Sequence, residues 1–175
     1  MSSVPRRYLF VTLASLSAIG VSRAADPTIS ITISTQRPVV QLGSDLRIKI
    51  VLKNISSDPI EFGRSPSEVQ GERSQEVEVR DEQGNKMPET AYYRAVRGKT
   101  KDDPPRPDGK FLPIFIGGSY LTKTVEPGGT FPDGMILNKL IEIVAPGKYT
   151  ITVRRFDQAT KSHVSSNSIT FTVTR

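Results

Sequence analysis

Few side chains in this sequence could do chemistry, and their spacing narrows the choice further. There is one histidine, His163, and no cysteine. Without Cys there is no thiol nucleophile, thiolate metal site or disulfide framework. One His cannot build a multi-histidine metal site from a single chain. His163 lies in the Asp157–Asn167 connection, where a Ser-His-Asp arrangement could recruit Asp157 and a serine. No G-x-S-x-G turn is present to raise such a serine, so His163 reads as an exposed loop residue at a hairpin tip. Asp102, Asp103 and Asp108 could gather a calcium ion through their oxygens. The spacing of a D-x-D-x-D-G loop is not met, and three prolines stiffen Lys99–Lys110, which reads as a solvated loop. Glu76 and Glu78 share a strand face, as the two carboxylates of a glycosidase might. Arg80 on the same face makes them a polar exterior. Gly117-Gly118 and Gly128-Gly129 lack the following Lys and helix of a phosphate-cradling loop, and Asn54-Ile55-Ser56 fits a glycosylation sequon. No catalytic, cofactor-binding or metal-ligating residue is assigned. The expectation is a protein that is not an enzyme and needs no cofactor.

The elements that would position these residues alternate with period two. Thr28–Ser34 sets Ile29, Ile31 and Ile33 on one face, and Leu46–Asn54 sets Leu46, Ile48, Ile50 and Leu52 against Arg47, Lys49, Val51 and Lys53. Gln75–Asp81, Tyr149–Phe156 and Ser168–Thr174 repeat the pattern. Alternation of this kind gives each strand one face in a core and one in water, as in antiparallel sheets. Shorter strands are expected at Pro59–Phe62, Ala91–Arg94 and Tyr120–Val125. Met135–Val144 mixes periods and reads as a short strand near Ile136–Leu137, then one helical turn capped by Asn138. Asp81-Glu82-Gln83-Gly84-Asn85 makes a hairpin-type loop, with Gly84 and Asn85 able to take positive φ, and Pro127-Gly128-Gly129 and Pro146-Gly147 make tight turns. Strands at this spacing without a long helix predict an all-β, antiparallel sandwich of about seven to nine strands.

The first residues read as an address. Met1–Arg7 carries Arg6 and Arg7 and no acid, Tyr8–Gly20 is uncharged, and Ser22 and Ala24 stand at −3 and −1 for cleavage after Ala24. That is the layout of a secretory signal peptide, too short for a membrane span of roughly 20 apolar residues. Residues 1–24 are therefore expected to be removed, and residues 25–175 to form one domain that is periplasmic or extracellular. The chain has 24 Lys and Arg against 18 Asp and Glu, and three of those cations belong to the leader. The mild excess left over bears on solubility and does not point to nucleic acid. A domain of this length buries roughly two-thirds of its unfolded surface, enough to fold without disulfides.

Pro146-Gly147-Lys148-Tyr149-Thr150-Ile151 places a Tyr at the start of a late strand just after a turn. It resembles the tyrosine corner of immunoglobulin-like sandwiches, whose hydroxyl ties back to nearby backbone. Ile50–Ile60, Val77–Asn85, Val125–Thr130 and Pro146–Ile151, with Ser166-Asn167-Ser168-Ile169-Thr170 near the end, together resemble secreted bacterial immunoglobulin-like proteins of unknown function. Their order is also similar to the bacterial intracellular proteinase inhibitor domain, although Lys86-Met87-Pro88-Glu89-Thr90 stands where that family carries an aromatic stretch. The resemblance implies an immunoglobulin-like fold. The leading functional expectation is a non-catalytic domain that binds a protein or surface component; the alternative is an inhibitor of a secreted protease. An inhibitory loop would offer a cation, and Arg97, Lys99, Lys101, Arg106 and Lys110 qualify by charge, Arg106 poorly because Pro107 follows. Residues 63–74 and 97–112 are long polar connections, and Phe111–Ile116 is an apolar hexapeptide suited to a buried strand or a partner-binding patch.

Overall fold

The computed structural model describes residues 26–64, 75–97 and 121–175. The leader with its cleavage site, most of the 63–74 connection, Lys99, Lys101, Asp102, Asp103, Arg106, Asp108, Lys110, Phe111–Ile116 and Gly117-Gly118 lie outside the described residues. In chain order the elements are β1 (Ile29–Ser34), β2 (Val39–Gln41), β3 (Arg47–Asn54), β4 (Ile60–Arg64), β5 (Gln75–Arg80), α1 (Ala91–Val96), β6 (Leu121–Val125), β7 (Thr130–Ile136), α2 (Leu137–Leu140), β8 (Gly147–Asp157), β9 (Ser162–Ser165) and β10 (Ile169–Thr174). No helix among the described residues is long and apolar enough to cross a membrane.

Two sheets form an immunoglobulin-like β-sandwich. The first runs β1-β3-β7, all antiparallel; the second runs β2-β10-β8-β5, with β9 also paired to β8 and β2 parallel to β10. A ribbon of β4 and β6 stands beside them. The period-two residues of both sheets meet in one cluster: Ile29, Ile31, Ile33, Ile48, Ile50 and Leu52 from one side, Val77, Val79, Tyr149, Ile151, Val153, Phe171 and Val173 from the other. Each such side chain stabilises by roughly 1.5–3 kcal/mol on burial. Phe62 of the ribbon stacks on Phe131 at 5.3 Å, and the Arg155 guanidinium lies 5.5 Å from the Phe62 ring centre.

Three expectations change. Ala91–Arg94 is helical and not a strand, because the Thr90 hydroxyl caps the turn by accepting from the Tyr93 N–H at 3.1 Å, and Tyr93 and Val96, three apart, bury one face. The helical turn after Ile136 forms, but Asn138 does not cap it: its side chain accepts from the Leu46 N–H at 3.2 Å. In the Asp81 loop only Gly84 takes positive φ, while Asn85 bonds to the Asp81 carboxylate.

Particular backbone groups on the edges of β5, β1 and β7 are taken up by side chains or by loop backbone, which blunts those edges. On β5 the Tyr93 hydroxyl donates to Gln75 C=O at 2.6 Å and accepts from Val77 N–H at 3.2 Å, and Met87 N–H reaches Val79 C=O at 2.8 Å. On β1 the Asn167 side chain both accepts from Ile33 N–H and donates to Ile33 C=O, while Asp157 holds the Thr28 N–H and hydroxyl. On β7 Pro132 has no N–H to present, and the Gly134 N–H is taken by the neighbouring Asp133 carboxylate at 2.8 Å.

Candidate functional site

Of the charged residues singled out above, Glu76, Glu78, Arg80, Arg97 and His163 come together where α1 meets the outward face of β5, β8 and β9. Alternation along β5 turns Val77 and Val79 inward and leaves Glu76, Glu78 and Arg80 outward. Register places Glu76 beside Arg154 of β8, and Phe156 of β8 beside His163 of β9. α1 then delivers Arg97 at its C-terminal cap.

Glu76 is the centre of this cluster. Its Oε1 lies 2.7 Å from Arg97 Nη2 and 3.9 Å from His163 Nε2, and its Oε2 lies 3.7 Å from Arg154 Nη2. The other arm of Arg97 meets Glu89 at 3.1 Å, and its guanidinium sits 5.4 Å from the centre of the buried Tyr93 ring. The same Tyr93 seals the β5 edge, and burial raises its hydroxyl pKa. Arg97 thus locks the helix to the strand, and its side chain is only 15% exposed. Among the candidate inhibitory cations it is withdrawn: a protease pocket cannot take a guanidinium already held by two carboxylates.

Glu78 accepts from Arg80 Nε at 2.8 Å. That hydrogen bond, helped by the Arg80, Lys86 and Arg154 charges, outweighs burial and holds its carboxyl below the usual range. Glu78 thus sits among cations as part of the polar exterior of the strand.

His163 and Asp157 are separated. His163 sits on β9, a strand and not the loop expected, and meets Phe156 edge-on at 5.3 Å. Asp157 turns inward at the end of β8 and binds Thr28 and the Ala159 N–H. The triad arrangement of these two residues does not form. Exposed on the outer face stand Phe156, His163 and Arg154, two aromatic rings beside a cation. Phe156 is 38% exposed.

Asn54 of the sequon is fully buried. Its Nδ2 donates to both Asp58 C=O and Val125 C=O at 2.8 Å, and its Oδ1 accepts from Ser56. The turn beside it, Glu126-Pro127-Gly128-Gly129, closes with Gly129 N–H on Glu126 C=O at 2.8 Å and Gly128 at φ +78°, which a β-carbon disfavours. Both amide hydrogens of Asn54 are used within the fold, which explains the residue structurally.

The sequence matches no family model and no curated protein. Solved structures similar to it include a CARDB domain from Pyrococcus furiosus determined in complex with di-metal ions, at TM-score 0.39 and 11% identity over 84% of this chain and 93% of that one. A β-glucosidase from Erythrobacter marinus is similar at TM-score 0.41 and 12% identity, over 85% of this chain but 16% of the enzyme. A PapD-like domain of a human protein is similar at TM-score 0.28 and 10% identity, over 93% and 94% of the two chains.

Proposed function

We propose that this chain is an exported, non-catalytic immunoglobulin-like domain that binds another protein or a cell-surface component in the periplasm or outside the cell. One observation carries the reading: Phe156, His163 and Arg154 stand exposed together on the outward face of β8 and β9. Aromatic rings and arginine are the side chains that anchor protein interfaces, and here strands hold them in place at low entropic cost. The surrounding carboxylates are occupied by Arg97, Arg80 and Lys86, which favours recognition over proton transfer. Export is supported by the charge layout of residues 1–24.

The test is affinity capture from the native envelope fraction, comparing the parent with Phe156→Ala/His163→Ala. A partner retained by the parent and lost by the variant supports the reading; equal retention removes this face from it. Mass spectrometry of the native product should give Ala25 as the first residue, and an intact Met1–Arg23 segment would overturn export. The inhibitor alternative rests on the turn segments that resemble the proteinase inhibitor domain. Stoichiometric loss of activity in a protease panel, with the chain uncut, would put it first. Turnover of any substrate abolished by His163→Ala would replace both with a hydrolase.

A further inference from the structure

We propose that the outward face of the first sheet is a docking surface for an anionic lipid bilayer, through the phosphate-bearing headgroups. The face lies on the sheet opposite the Phe156 cluster and does not depend on the partner reading. Its outward positions are Ser30, Thr32 and Ser34 on β1, Arg47, Lys49, Val51 and Lys53 on β3, and Thr130, Pro132 and Gly134 on β7, with Arg37 beside them. No carboxylate stands among the strand positions. Lys49 and Lys53 have no ion-pair partner among the described residues, and Asp45 meets Arg47 at 3.6 Å with both side chains largely exposed, a pairing worth little. Asp133, which also lines the groove of about 700 Å³ at Arg37, Arg47 and Lys49, is already held by Gln75 Nε2 and Gly134 N–H.

The contrast with the second sheet is one of neutralisation. There Glu76 and Glu78 answer Arg97, Arg154, Arg80 and Lys86. On the first sheet the cations are left for a partner to answer, so charge complementarity calls for an anionic surface. Shape selects the bilayer. Arg47 and Lys49 stand about 6.7 Å apart along one strand; Lys49 is flanked by Ser34 and Gly134 and Lys53 by Ser30 and Thr130, all short, so the long cationic heads reach one plane together. No aromatic ring stands at these positions, so successive nucleic-acid bases would find no stacking platform.

The experiment is sedimentation of the full chain with phosphatidylcholine vesicles, with and without 30% phosphatidylglycerol, at low salt. The apolar stretch Tyr8–Gly20 contributes alike in every variant, so the change in binding between variants is the readout. The parent should bind the anionic vesicles more tightly and lose that gain as salt rises through the screening range. Lys49→Gln/Lys53→Gln should weaken anionic binding about 30-fold, Lys49→Arg/Lys53→Arg should restore it, and Arg154→Gln on the other sheet should leave it unchanged. Anionic binding by the glutamine pair equal to the parent's would overturn the proposal. So would Lys49- and Lys53-dependent binding to dextran sulfate without binding to vesicles, which would assign the face to a soluble polyanion.

Discussion

Tyr149 and Asp157 each use a polar side-chain group to hold backbone elsewhere in the chain. The Tyr149 hydroxyl donates to Ala145 C=O at 2.7 Å across the Pro146-Gly147 turn, while its ring stacks on Phe171 at 5.6 Å. Tyr149→Phe keeps the ring and removes this hydrogen bond, so it should cost about 0.5–1.5 kcal/mol. Equal urea midpoints at equal slope would reduce the residue to a core aromatic. For Asp157, burial would push the carboxyl up, but hydrogen bonds from Thr28, Ala159 and Thr160 outweigh it and hold the carboxyl below the usual range. Between the depressed value and the ordinary one of about 3.9, the unfolded chain binds more protons, so stability rises with pH there. That contribution is complete above the ordinary value and is lost as pH falls through the folded one. The urea midpoint of the parent should therefore fall more steeply below about pH 4 than that of Asp157→Asn, the two converging in acid. Parallel curves would exclude Asp157 from the acid response.

At the scale of elements, the alternation of Ile29–Ile33, Leu46–Leu52 and Tyr149–Val153 was sufficient to place β1, β3 and β8, because a half-buried strand must repeat every two residues. β7 was not legible. Its sequence, TFPDGMI, carries Pro, Asp and Gly, which ordinarily break strands. They are tolerated because β7 is an edge, where Pro132 sacrifices no ladder bond, and because a β-carbon at Gly134 would come within 3.2 Å of Ile48 C=O. α1 was misread for a related reason: six residues are too few to show a helical period, and only the Thr90 cap with Tyr93 and Val96 marks it. The edge seal built on α1 is testable. Tyr93→Phe leaves Gln75 C=O and Val77 N–H without a partner inside the fold, and should cost about 1–3 kcal/mol. The Val77 amide should then exchange with deuterium faster than in the parent. Unchanged exchange and stability would mean that the ring alone covers the edge.

Across the whole molecule the two sheets and the β4–β6 ribbon share one apolar cluster, while Asp157 at the end of β8 holds Thr28 just before β1 and Asn167 between β9 and β10 holds Ile33 of β1. Neither sheet can lose its partner without exposing that cluster. Unfolding should therefore be one cooperative event, with far-ultraviolet dichroism and tyrosine absorbance giving the same urea midpoint. Two separated midpoints would show that the sheets unfold independently.

The sequence by itself determined the fold class, five principal strands, the tyrosine corner and the tight turns, since periodicity, Pro-Gly pairs and a Tyr after a turn act through near neighbours. It also named Glu76, Arg97 and His163 as separate candidates. Only the tertiary structure decided that Glu76 binds Arg97 from 21 residues away, that Asp157 binds Thr28 and not His163, and that Asn54 of the sequon is a buried hub. The reason is physical. The direction of a side chain follows from its own strand, but its partner depends on which strand lies beside it and in what register, and pairing across such distances leaves no periodic trace in the chain.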